Sequence, residues 1–484
     1  MFVRQKGNYN MKMLLGNEWV EKSEKIEVLS PYDGSVVDTV PSSDLNDVEL
    51  ALATADQSSH VIGKMSGYQR YEILQTVAKL MRERSNDLAR TITLEEGKIL
   101  AEAKIEVERA TEIIVLSAEE AKRLAGEVIP LDGAPGVSGR LGFTLRVPCG
   151  VVVGISPFNF PLHLVCHKVG PAIAAGNACI IKPATDTPLS ALKLIELFVE
   201  AGVPSGVVQC LTGRGSEIGN ALCSDKRVRK ITFTGSRDIG EKICNVAGLK
   251  RVTMELGSNS PLLVMPDADL SKVAAAAAAS GFSNAGQVCI STQRVIAHSD
   301  IYHDLLSEMK TITEKITVGN PLDKKSKMGP MIREEDSERV ASWVEEATKT
   351  GARLLIGGQR DGQLYEPTVV ADVSPEMKIS CDEIFGPVVG VTQTEDIESA
   401  IALANQTNYG LSAAIFTQNV DWAMKFVREC ESGNLHVNWG TQWRADLMPY
   451  GGLKESGMGK EGPKYAVQEM TETKMAVFHL PEEN

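Results

Sequence analysis

The run Val151-Val152-Val153-Gly154-Ile155 is the first of five short β-rich segments in the middle of the chain. Helical stretches of about ten residues separate the five segments, and this alternation is typical of βαβ units. Units of this kind build a parallel, doubly wound sheet, so the sequence predicts an α/β fold. The other four β-rich segments span residues 179–181, 207–211, 231–233 and 251–254.

The amino-terminal part of the chain changes its pattern twice. Residues 13–40 are predicted to form short strands, with turns at Gly16-Asn17 and Asp33-Gly34. From Leu45 to about Leu124, apolar residues recur at helical spacing. Residues 125–147 break that spacing with glycines and prolines, and we expect them to form an extended excursion.

A second α/β block is predicted from about residue 258 to residue 455. After it, the segment Thr473-Lys-Met-Ala-Val-Phe-His-Leu480 alternates as an edge strand does, and such a strand can pair with a neighbouring sheet. In the block, helices are predicted at 301–317, 334–350, 396–406 and 419–430, and strands near 353–356, 388–391, 413–416 and 435–438.

Composition and charge exclude several classes of protein. With 484 residues, 43% of them hydrophobic, the chain is long enough for two or three domains. The net charge of −13 argues against nucleic acid or an anionic membrane as a partner. Nine cysteines without a C-x-x-C pair argue against a zinc ribbon and fit a reducing compartment. Because the first six residues lack the apolar core of a signal peptide, and no apolar run of spanning length follows, we expect a cytoplasmic protein.

The segment Ser283-Asn-Ala-Gly-Gln-Val-Cys-Ile-Ser291 contains the strongest candidate nucleophile. Structural cysteines usually lie among large apolar residues, whereas Cys289 follows small and polar ones. Gly286 lets the backbone approach a ligand closely. Glu255, between an apolar strand and Leu256-Gly257, is a candidate base because burial would raise its pKa; a salt-bridged core glutamate is the alternative.

Three segments in the βαβ region are candidate phosphate sites. Gly213-Arg214-Gly215-x3-Gly219 follows a strand and opens a helix, although its spacing differs from the G-x-G-x-x-G fingerprint. Phe233-Thr-Gly235-Ser236-x3-Gly240 also follows a strand and opens a helix, whose free N–H groups suit a phosphate. Lys182 follows a strand at the edge where nucleotides bind in doubly wound sheets. Ordinary strand-to-helix turns and a solvated lysine remain the alternatives.

His163-Leu-Val-Cys166-His167 places three potential metal ligands on one helical face. The glutamate of an H-E-x-x-H motif is missing, and the sequence offers no evident fourth ligand nearby. We therefore expect no metal site here and interpret the segment as a partly buried helix face.

Considered together, these segments resemble the aldehyde dehydrogenase superfamily of NAD(P)-dependent oxidoreductases. The resemblance covers nearly the whole chain, with the motifs in the family's order. They are Ser156-Pro-Phe-Asn159-Phe-Pro161, Gly176-Asn-x3-Ile-Lys182-Pro, Phe233-Thr-Gly235-Ser236-x3-Gly240, Glu255-Leu-Gly257, Gly286-Gln-x-Cys289, Glu383-Ile-Phe385-Gly386-Pro387 and Pro449-Tyr-Gly451-Gly452-Leu-Lys-x-Ser456-Gly457-x-Gly459.

The resemblance implies a role for each catalytic candidate. Cys289 would attack the aldehyde carbonyl as a thiolate and form a thiohemiacetal. The side-chain amide of Asn159 and the backbone N–H of Cys289 would hold the oxyanion. Loss of hydride to the nicotinamide would leave a thioester, and Glu255 would activate the water that hydrolyses it to a free acid. Lys168 and Glu461 would provide a proton path.

The resemblance also implies a cofactor site, with Lys182 on the adenosine ribose, Ser236 on the pyrophosphate and Glu383 on the nicotinamide ribose. NAD-preferring relatives often carry a glutamate three residues after the lysine, where this chain has Thr185, and Arg214 replaces a common proline. Both differences favour NADP over NAD, because they remove a repulsion and add positive charge. The remaining residues expected beside the cofactor are Ile155, Ser156, Pro157, Phe158, Gly215, Phe233, Gly235, Leu256 and Phe385.

The segment Trp443-Arg444-Ala-Asp-Leu-Met-Pro-Tyr450 is similar to the branch that oxidises lactaldehyde and anionic aldehydes. These anionic aldehydes are glyceraldehyde 3-phosphate, phosphonoacetaldehyde, sulfolactaldehyde and succinate semialdehyde. Arg444 and Arg109 are candidates for a clamp on the substrate anion, with surface or salt-bridged arginines as the alternative. The residues beside the nucleophile are Val288 and Ile290, so no arginine adjoins Cys289.

By resemblance, residues 1–124 and 148–256 form a Rossmann-like cofactor domain, and residues 257–467 form an α/β catalytic domain. Residues 125–147 and 468–484 form a small bridging β element for oligomerisation. An unpaired edge strand favours a homodimer or homotetramer. The rival functions are a thiol hydrolase or acyltransferase that uses Cys289 and Glu255 without redox chemistry, and a binding protein without catalysis.

Overall fold

Two large sheets, one small three-stranded sheet and two two-stranded sheets organise residues 10–137 and 139–480, which the computed structural model describes. The strands are β1 (Met13–Leu15), β2 (Glu18–Val20), β3 (Lys25–Leu29), β4 (Val36–Pro41), β5 (Val128–Ile129), β6 (Arg140–Pro148), β7 (Val151–Ile155), β8 (Ala178–Lys182), β9 (Val208–Cys210), β10 (Val228–Thr234), β11 (Arg251–Glu255), β12 (Pro261–Val264), β13 (Arg294–His298), β14 (Arg353–Ile356), β15 (Arg360–Asp361), β16 (Leu364–Tyr365), β17 (Thr368–Ala371), β18 (Val388–Thr394), β19 (Ser412–Phe416), β20 (Asn434–Val437), β21 (Gly457–Met458) and β22 (Thr471–His479). The helices are α1 (Leu45–Ile62), α2 (Gly67–Glu83), α3 (Ser85–Glu96), α4 (Leu100–Arg123), α5 (His163–Ala175), α6 (Leu189–Glu200), α7 (Gly215–Ser224), α8 (Arg237–Ala247), α9 (Leu270–Phe282), α10 (Tyr302–Thr313), α11 (Glu334–Lys349), α12 (Lys378–Cys381), α13 (Ile397–Asn405), α14 (Val420–Glu429) and α15 (Pro463–Glu469).

The first sheet contains the predicted βαβ strands. Its order is β2-β1-β9-β8-β7-β10-β11-β21, and β9, β8, β7, β10 and β11 run parallel. These strands are rich in valine and isoleucine because helices cover both faces of the sheet and bury both sets of side chains. The prediction of a parallel sheet holds for this centre, whereas β1 and β21 add antiparallel edges.

The helices around the first sheet confirm the helical pattern of residues 45–124, which form α1 to α4. Helix α5 packs against α4 and is buried along its whole length, from His163 to Ala175. The interpretation of its histidine-containing segment as a partly buried face was therefore wrong. Both α4 and α15 pack against α5, which explains why the segment is buried completely.

The second sheet has the order β14-β17-β18-β13-β12-β19-β20. The neighbouring strands β17, β18, β13, β12, β19 and β20 all run parallel. Strand β14 pairs with β17 in the antiparallel direction. The four helices predicted for this block correspond to α10, α11, α13 and α14, with bounds that differ by a few residues. This block is thus the second α/β layer that the sequence predicts.

The small sheet pairs β22 with β6 over nine residue pairs, from Thr471–Pro148 to His479–Arg140, and β5 lies on the other side of β6. As predicted, β22 is an edge strand. Residues 1–9 of the predicted cofactor domain and residues 481–484 of the predicted bridging element lie outside the described residues, and the domain boundaries stay a prediction. Within the described ranges, no helix is both long and apolar enough to cross a membrane.

The centre of the first sheet should be the most sensitive part of the core. Ile180 in β8 is fully buried between β7 and β9. We expect Ile180→Ala to lower the free energy of unfolding by about 2–5 kcal/mol, because it leaves a cavity in a packed layer. Urea unfolding followed by tryptophan fluorescence measures this loss. The control is Val61→Ala in α1, where 52% of the side chain is exposed; an equal loss in both variants would contradict the prediction.

Candidate active site

The carboxyl ends of four parallel strands bring the predicted cofactor residues together. Ile155 at the end of β7 is paired with Lys182 at the end of β8 and with Phe233 of β10. Thr234 of β10 is paired with Glu255 of β11. In a doubly wound sheet, ligands bind at this edge, so the strand register itself builds the candidate site.

Two helices begin at the same edge with free N–H groups. Helix α7 starts at Gly215 after Arg214, and helix α8 starts after Ser236; neither helix has a side-chain cap. Such helix starts attract phosphate groups. The buried hydroxyl of Ser156 has no hydrogen-bond partner among the described residues, and it lies in the loop after β7. These groups fit a dinucleotide.

Lys182 contributes a cation to this edge. Its Nζ donates to the carbonyl of Pro183 at 2.6 Å, and burial lowers the pKa of Lys182 to about 8. Thr185 is partly buried, and its hydroxyl donates to the carbonyl of Gly213 at 3.3 Å. Arg214 follows Gly213 and is exposed. Lys182, Thr185 and the Arg214 loop are therefore neighbours, as the sequence predicts.

The second α/β block contributes Glu383 and Phe385 to the opposite wall of the predicted cofactor site. Glu383 is partly buried, and its carboxylate accepts from the backbone N–H of Ser258 at 2.9 Å. Burial raises the pKa of Glu383 to about 7. The rings of Phe385 and Phe158 meet edge to face, 5.9 Å apart, and so connect this wall to the loop after β7. Three further predicted residues lie along that edge: Pro157 in the same loop, Gly235, whose N–H donates to the carbonyl of Glu255, and Leu256, which follows Glu255.

A tight turn presents Cys289 to the site. Asn284, Ala285 and Gly286 all have left-handed backbone angles, with φ of 50°, 53° and 69°. A β-carbon on Gly286 would lie 2.1 Å from the carbonyl oxygen of Gly386, so only glycine fits. The Cys289 thiol is partly buried, and its Sγ lies 3.2 Å from the Tyr450 hydroxyl oxygen. Burial raises the pKa of Cys289 to about 12, although the hydrogen bond from Tyr450 acts in the opposite direction.

Asn159 lies beside the cysteine segment. One N–H of its side-chain amide donates to the carbonyl of Gln287 at 2.8 Å, and the amide has a second N–H for another acceptor. The backbone carbonyl of Asn159 accepts from Lys98 at 2.7 Å and from the side chain of Asn284 at 3.3 Å. The predicted oxyanion donor is thus held on both its main chain and its side chain.

Glu255 is buried, and neither of its carboxylate oxygens has a hydrogen-bond partner among the described residues. Its Oε1 would lie only 2.9 Å from a β-carbon on Gly451, so the glycine makes room for the carboxylate. Burial, with the negative charge of Glu461 nearby, raises the pKa of Glu255 well above its usual value. A buried acid without a partner is costly, and it is typical of a working acid–base group.

Lys168 and Glu461 lie behind Glu255. Lys168 donates to the hydroxyl of Thr234 at 2.7 Å and lies 3.4 Å from Glu461. Burial would raise the pKa of Glu461, but His167, Lys168 and Arg444 overcome it and keep the pKa low. The predicted pair is therefore in contact, both of its charges act on Glu255, and the proton path stays a prediction.

The two arginines chosen from the sequence belong to one buried cluster. Arg109 forms a two-pronged pair with Asp446, at 3.0 and 2.7 Å. Arg444 is within 3.6 Å of Asp446 and 3.4 Å of Glu461, and its guanidinium carbon lies 3.8 Å from the centre of the Tyr450 ring. The Nε of Arg444 is buried and has no hydrogen-bond partner among the described residues. Both arginines thus face carboxylates of the chain itself.

The helix α5 histidines meet the same carboxylate. His163 Nε2 lies 3.1 Å from Asp446 Oδ1, and His167 Nε2 lies 3.7 Å from the same atom. Possible ligand atoms of His163, His167 and Asp446 all lie within 4.8 Å of one another. The residue that joins the two histidines is therefore Asp446, which is distant from them in the sequence. Because the guanidinium of Arg109 already pairs with this carboxylate, the cluster is better described as a charge network.

Three residues of the site were not assigned from the sequence. Lys98 and Asp446 carry no local signal, because their partners are distant in the chain. Tyr450 lies within a motif that the sequence analysis quoted, but nothing in that motif indicated a contact with Cys289.

Residues 19–476 match the aldehyde dehydrogenase family. The chain is 46% identical over 478 residues to a 3-sulfolactaldehyde dehydrogenase of Priestia aryabhattai, and 99% of each chain is covered. It is 37% identical over 471 residues to a lactaldehyde dehydrogenase of Methanococcus vannielii, covering 96% of this chain and 100% of that one. The crystal structure of an NADP-dependent glyceraldehyde-3-phosphate dehydrogenase from Bacillus halodurans complexed with NADP is 35% identical, covers 98% of this chain and 100% of its own, and superposes with a TM-score of 0.96. These matches confirm the predicted family and fold: the chain belongs to the aldehyde dehydrogenase family and is an NAD(P)-dependent oxidoreductase that acts on aldehydes.

Proposed function

We propose that this protein oxidises a small anionic aldehyde to the free carboxylic acid, with NADP as the preferred cofactor. The observation that carries the proposal is the carboxylate of Glu255, which is buried and has no hydrogen-bond partner among the described residues. Its charge acts on Cys289 and raises the pKa of the thiol. A nucleophilic thiol with a base beside it suits acylation followed by hydrolysis. The predicted oxyanion donor Asn159 is anchored two residues away from Cys289, at Gln287.

In the proposed reaction, the Cys289 thiolate adds to the carbonyl carbon of the aldehyde. The free N–H of the Asn159 amide and the backbone N–H of Cys289 donate to the oxyanion that develops on the substrate. When bound, the nicotinamide cofactor supplies an acceptor for the hydride that leaves the substrate. Glu255 then takes a proton from the water that attacks the thioester, and Glu461 and Lys168 lie behind it to pass that proton on.

The role of Glu255 predicts a separation of the two half-reactions. We expect Glu255→Gln to form about one equivalent of reduced cofactor per Cys289 in a rapid burst, with the later steady rate lowered by about 10²–10⁴-fold. Because burial raises the pKa of Glu255, the steady rate of the unmodified protein should fall as the pH drops through that raised value. The variant should lack this acidic limb. Stopped-flow absorbance of the reduced cofactor measures both phases.

The matched control is Glu346→Gln on the exposed face of α11, which should behave as the unmodified protein. Full steady turnover by Glu255→Gln would contradict the assignment of the base. Ester hydrolysis undiminished by Lys182→Ala, without any formation of reduced cofactor, would instead support the rival thiol hydrolase.

The cofactor preference rests on the groups near Lys182. Thr185 carries a hydroxyl in the position where a carboxylate would repel a 2′-phosphate, and its oxygen lies 3.3 Å from the Gly213 carbonyl. Exposed Arg214 follows in the same loop and adds a cation. Two cations, with a hydroxyl at position 185 in place of a carboxylate, favour a ligand with an additional phosphate.

Replacing Thr185 by glutamate should reverse this preference. We expect Thr185→Glu to raise the KM for NADP about tenfold or more, because a like charge would face the 2′-phosphate, while the KM for NAD stays the same or falls. Initial rates with both cofactors measure the change. Thr311→Glu, on the exposed face of α10, adds the same charge elsewhere and serves as the control. An unchanged ratio of the two KM values would overturn the NADP preference.

A cavity beside Arg109 supports the proposal of an anionic substrate. Its volume is about 240 Å³, and its wall includes Arg109 together with the carboxylates of Glu102 and Glu106. The Arg109 side chain is 30% exposed, so its guanidinium can face the cavity while it pairs with Asp446. Arg444 contacts the same carboxylate, with its Nε 3.6 Å from Asp446. A sulfonate, phosphate or carboxylate on the substrate would complement the guanidinium of Arg109.

Arg109 provides the sharpest test of the substrate class. We expect Arg109→Gln to raise the KM for sulfolactaldehyde, succinate semialdehyde and glyceraldehyde 3-phosphate by about tenfold or more. The reason is that the anionic group of each substrate loses its ion pair with the guanidinium. The KM for neutral lactaldehyde should change little. Arg123→Gln, near the end of the same helix α4, is the control. Equal effects on charged and neutral aldehydes would mean that Arg109 only supports the structure.

The small sheet is the proposed oligomerisation element. Its strands β6 and β22 expose apolar side chains on both faces of the sheet, and β22 keeps one edge unpaired among the described strands. An unpaired strand and exposed apolar side chains favour assembly with a second copy of the chain, as a homodimer or homotetramer. The exposed side chains are Leu141, Leu145 and Phe478 on one face and Met475 and Val477 on the other.

A further inference from the structure

Tyr450 makes the one hydrogen bond that the described residues form with the Cys289 thiol. Its hydroxyl oxygen lies 3.2 Å from Cys289 Sγ, and only 3% of the tyrosine is exposed. A phenol next to a nucleophilic sulfur can donate its O–H to the thiolate and so favour the ionised form.

The position of the Tyr450 ring is fixed from three sides. Its backbone exchanges two hydrogen bonds with Glu461, at 2.7 and 3.2 Å. The ring packs with Val288 and Ile290, which flank the nucleophile. Arg444 covers a face of the ring, with its guanidinium carbon 3.8 Å from the ring centre. The hydroxyl is therefore held in place rather than free to swing away.

We propose that the Tyr450 O–H donates to the Cys289 thiolate and that Arg444, through the ring, acts as a positioning residue for this donor. This inference rests on the proposed role of Cys289 as the nucleophile. It adds to that role a specific source of thiolate stabilisation, separate from the oxyanion donors that act on the substrate.

The charges around the thiol make such a donor necessary. Besides Tyr450, the charged groups that act on Cys289 are Glu383, Glu255 and Arg444. The two carboxylates oppose ionisation of the thiol, whereas Arg444 favours it. Burial raises the pKa of Tyr450 well above its usual value, so the phenol keeps its proton and remains a donor. A neutral O–H stabilises a thiolate without adding a further buried charge.

The proton balance of the step is simple. The thiol loses its proton to solvent base, and the tyrosyl proton stays on the phenol oxygen in a hydrogen bond to sulfur. When sulfur adds to the carbonyl carbon, its negative charge moves to the substrate oxygen and the hydrogen bond weakens. Tyr450 therefore raises the fraction of Cys289 present as thiolate, and the same hydrogen bond lowers the intrinsic reactivity of that thiolate to a smaller extent.

The test is the pH dependence of Cys289 alkylation by iodoacetamide, followed on the Cys289 peptide by mass spectrometry. We expect Tyr450→Phe to move the midpoint upward by about one pH unit, because a hydrogen bond to a charged group is lost. Alkylation near neutral pH should then be about threefold slower, because a tenfold loss of thiolate is partly offset by a more reactive thiolate, and the plateau at alkaline pH should be about threefold higher. The kcat/KM profile of aldehyde oxidation should shift in the same way.

The matched control is Tyr71→Phe, because Tyr71 also has a cation over its ring, with Lys122 Nζ 3.7 Å from the ring centre. Its midpoint should equal that of the unmodified protein. An unchanged midpoint in Tyr450→Phe overturns the inference, and a lowered plateau with an unchanged midpoint marks a purely structural role. Arg444→Lys is the second variant if Tyr450→Phe fails to fold, because it keeps the positive charge and removes the planar guanidinium from the face of the Tyr450 ring. A raised midpoint in this variant supports the positioning role, and an unchanged midpoint overturns it.

Failure of this inference and failure of the proposed function give different results. If Cys289→Ala still oxidises aldehydes, the proposed nucleophile is wrong and the function fails with it. If Cys289→Ala is inactive while Tyr450→Phe keeps the original midpoint, only the thiolate donor is overturned.

Discussion

The buried ion pair between Lys98 and Glu106 is the contact on which the geometry of the site depends. Their charged atoms are 2.6 Å apart, and both side chains are almost fully buried. Glu106 accepts from the backbone N–H groups of Leu162 and His163, which begin helix α5, and Lys98 donates to the carbonyl of Asn159. One pair of charges therefore fixes both the predicted oxyanion donor and the start of the helix that carries Lys168. Breaking such a pair leaves an uncompensated buried charge and costs about 3–5 kcal/mol.

The other buried carboxylates of the site are also paired with cationic or histidine side chains, with one exception. Asp446 pairs with Arg109 and His163, and Glu461 pairs with Lys168 and Arg444. Glu255 alone is buried beside this network with both oxygens partnerless among the described residues. A fold that satisfies its other buried carboxylates nearby has no structural reason to leave this one unpaired, which supports a chemical role.

The sequence could predict what local pattern controls. The valine- and isoleucine-rich runs predicted the central strands, and Lys182 and Ser236 could be placed at the ligand edge because Lys182 ends one strand and Ser236 follows another. It could not predict contacts between remote residues: 283 positions separate His163 from Asp446, and 337 separate Arg109 from the same carboxylate. Arg109 and Arg444 meet in one cluster as salt-bridged arginines, the alternative that the sequence left open, and the clamp on a substrate anion stays a prediction. The antiparallel edges of the first sheet were missed for the same reason, because β1 and β21 come from outside the βαβ repeat.

The opposed charges of Cys289 and Glu255 fit a reaction in two steps. The negative charge of Glu255 disfavours the thiolate, so the two groups are not both ionised easily in the resting site. On the proposed mechanism they need not be. Attack on the aldehyde requires a thiolate, and a neutral Glu255 favours it. Once the sulfur is part of a neutral thioester, no charge remains on it to oppose ionisation of Glu255, and the carboxylate is the form that activates water. The same closeness that hinders simultaneous ionisation therefore places each group in its useful state at the step where it acts.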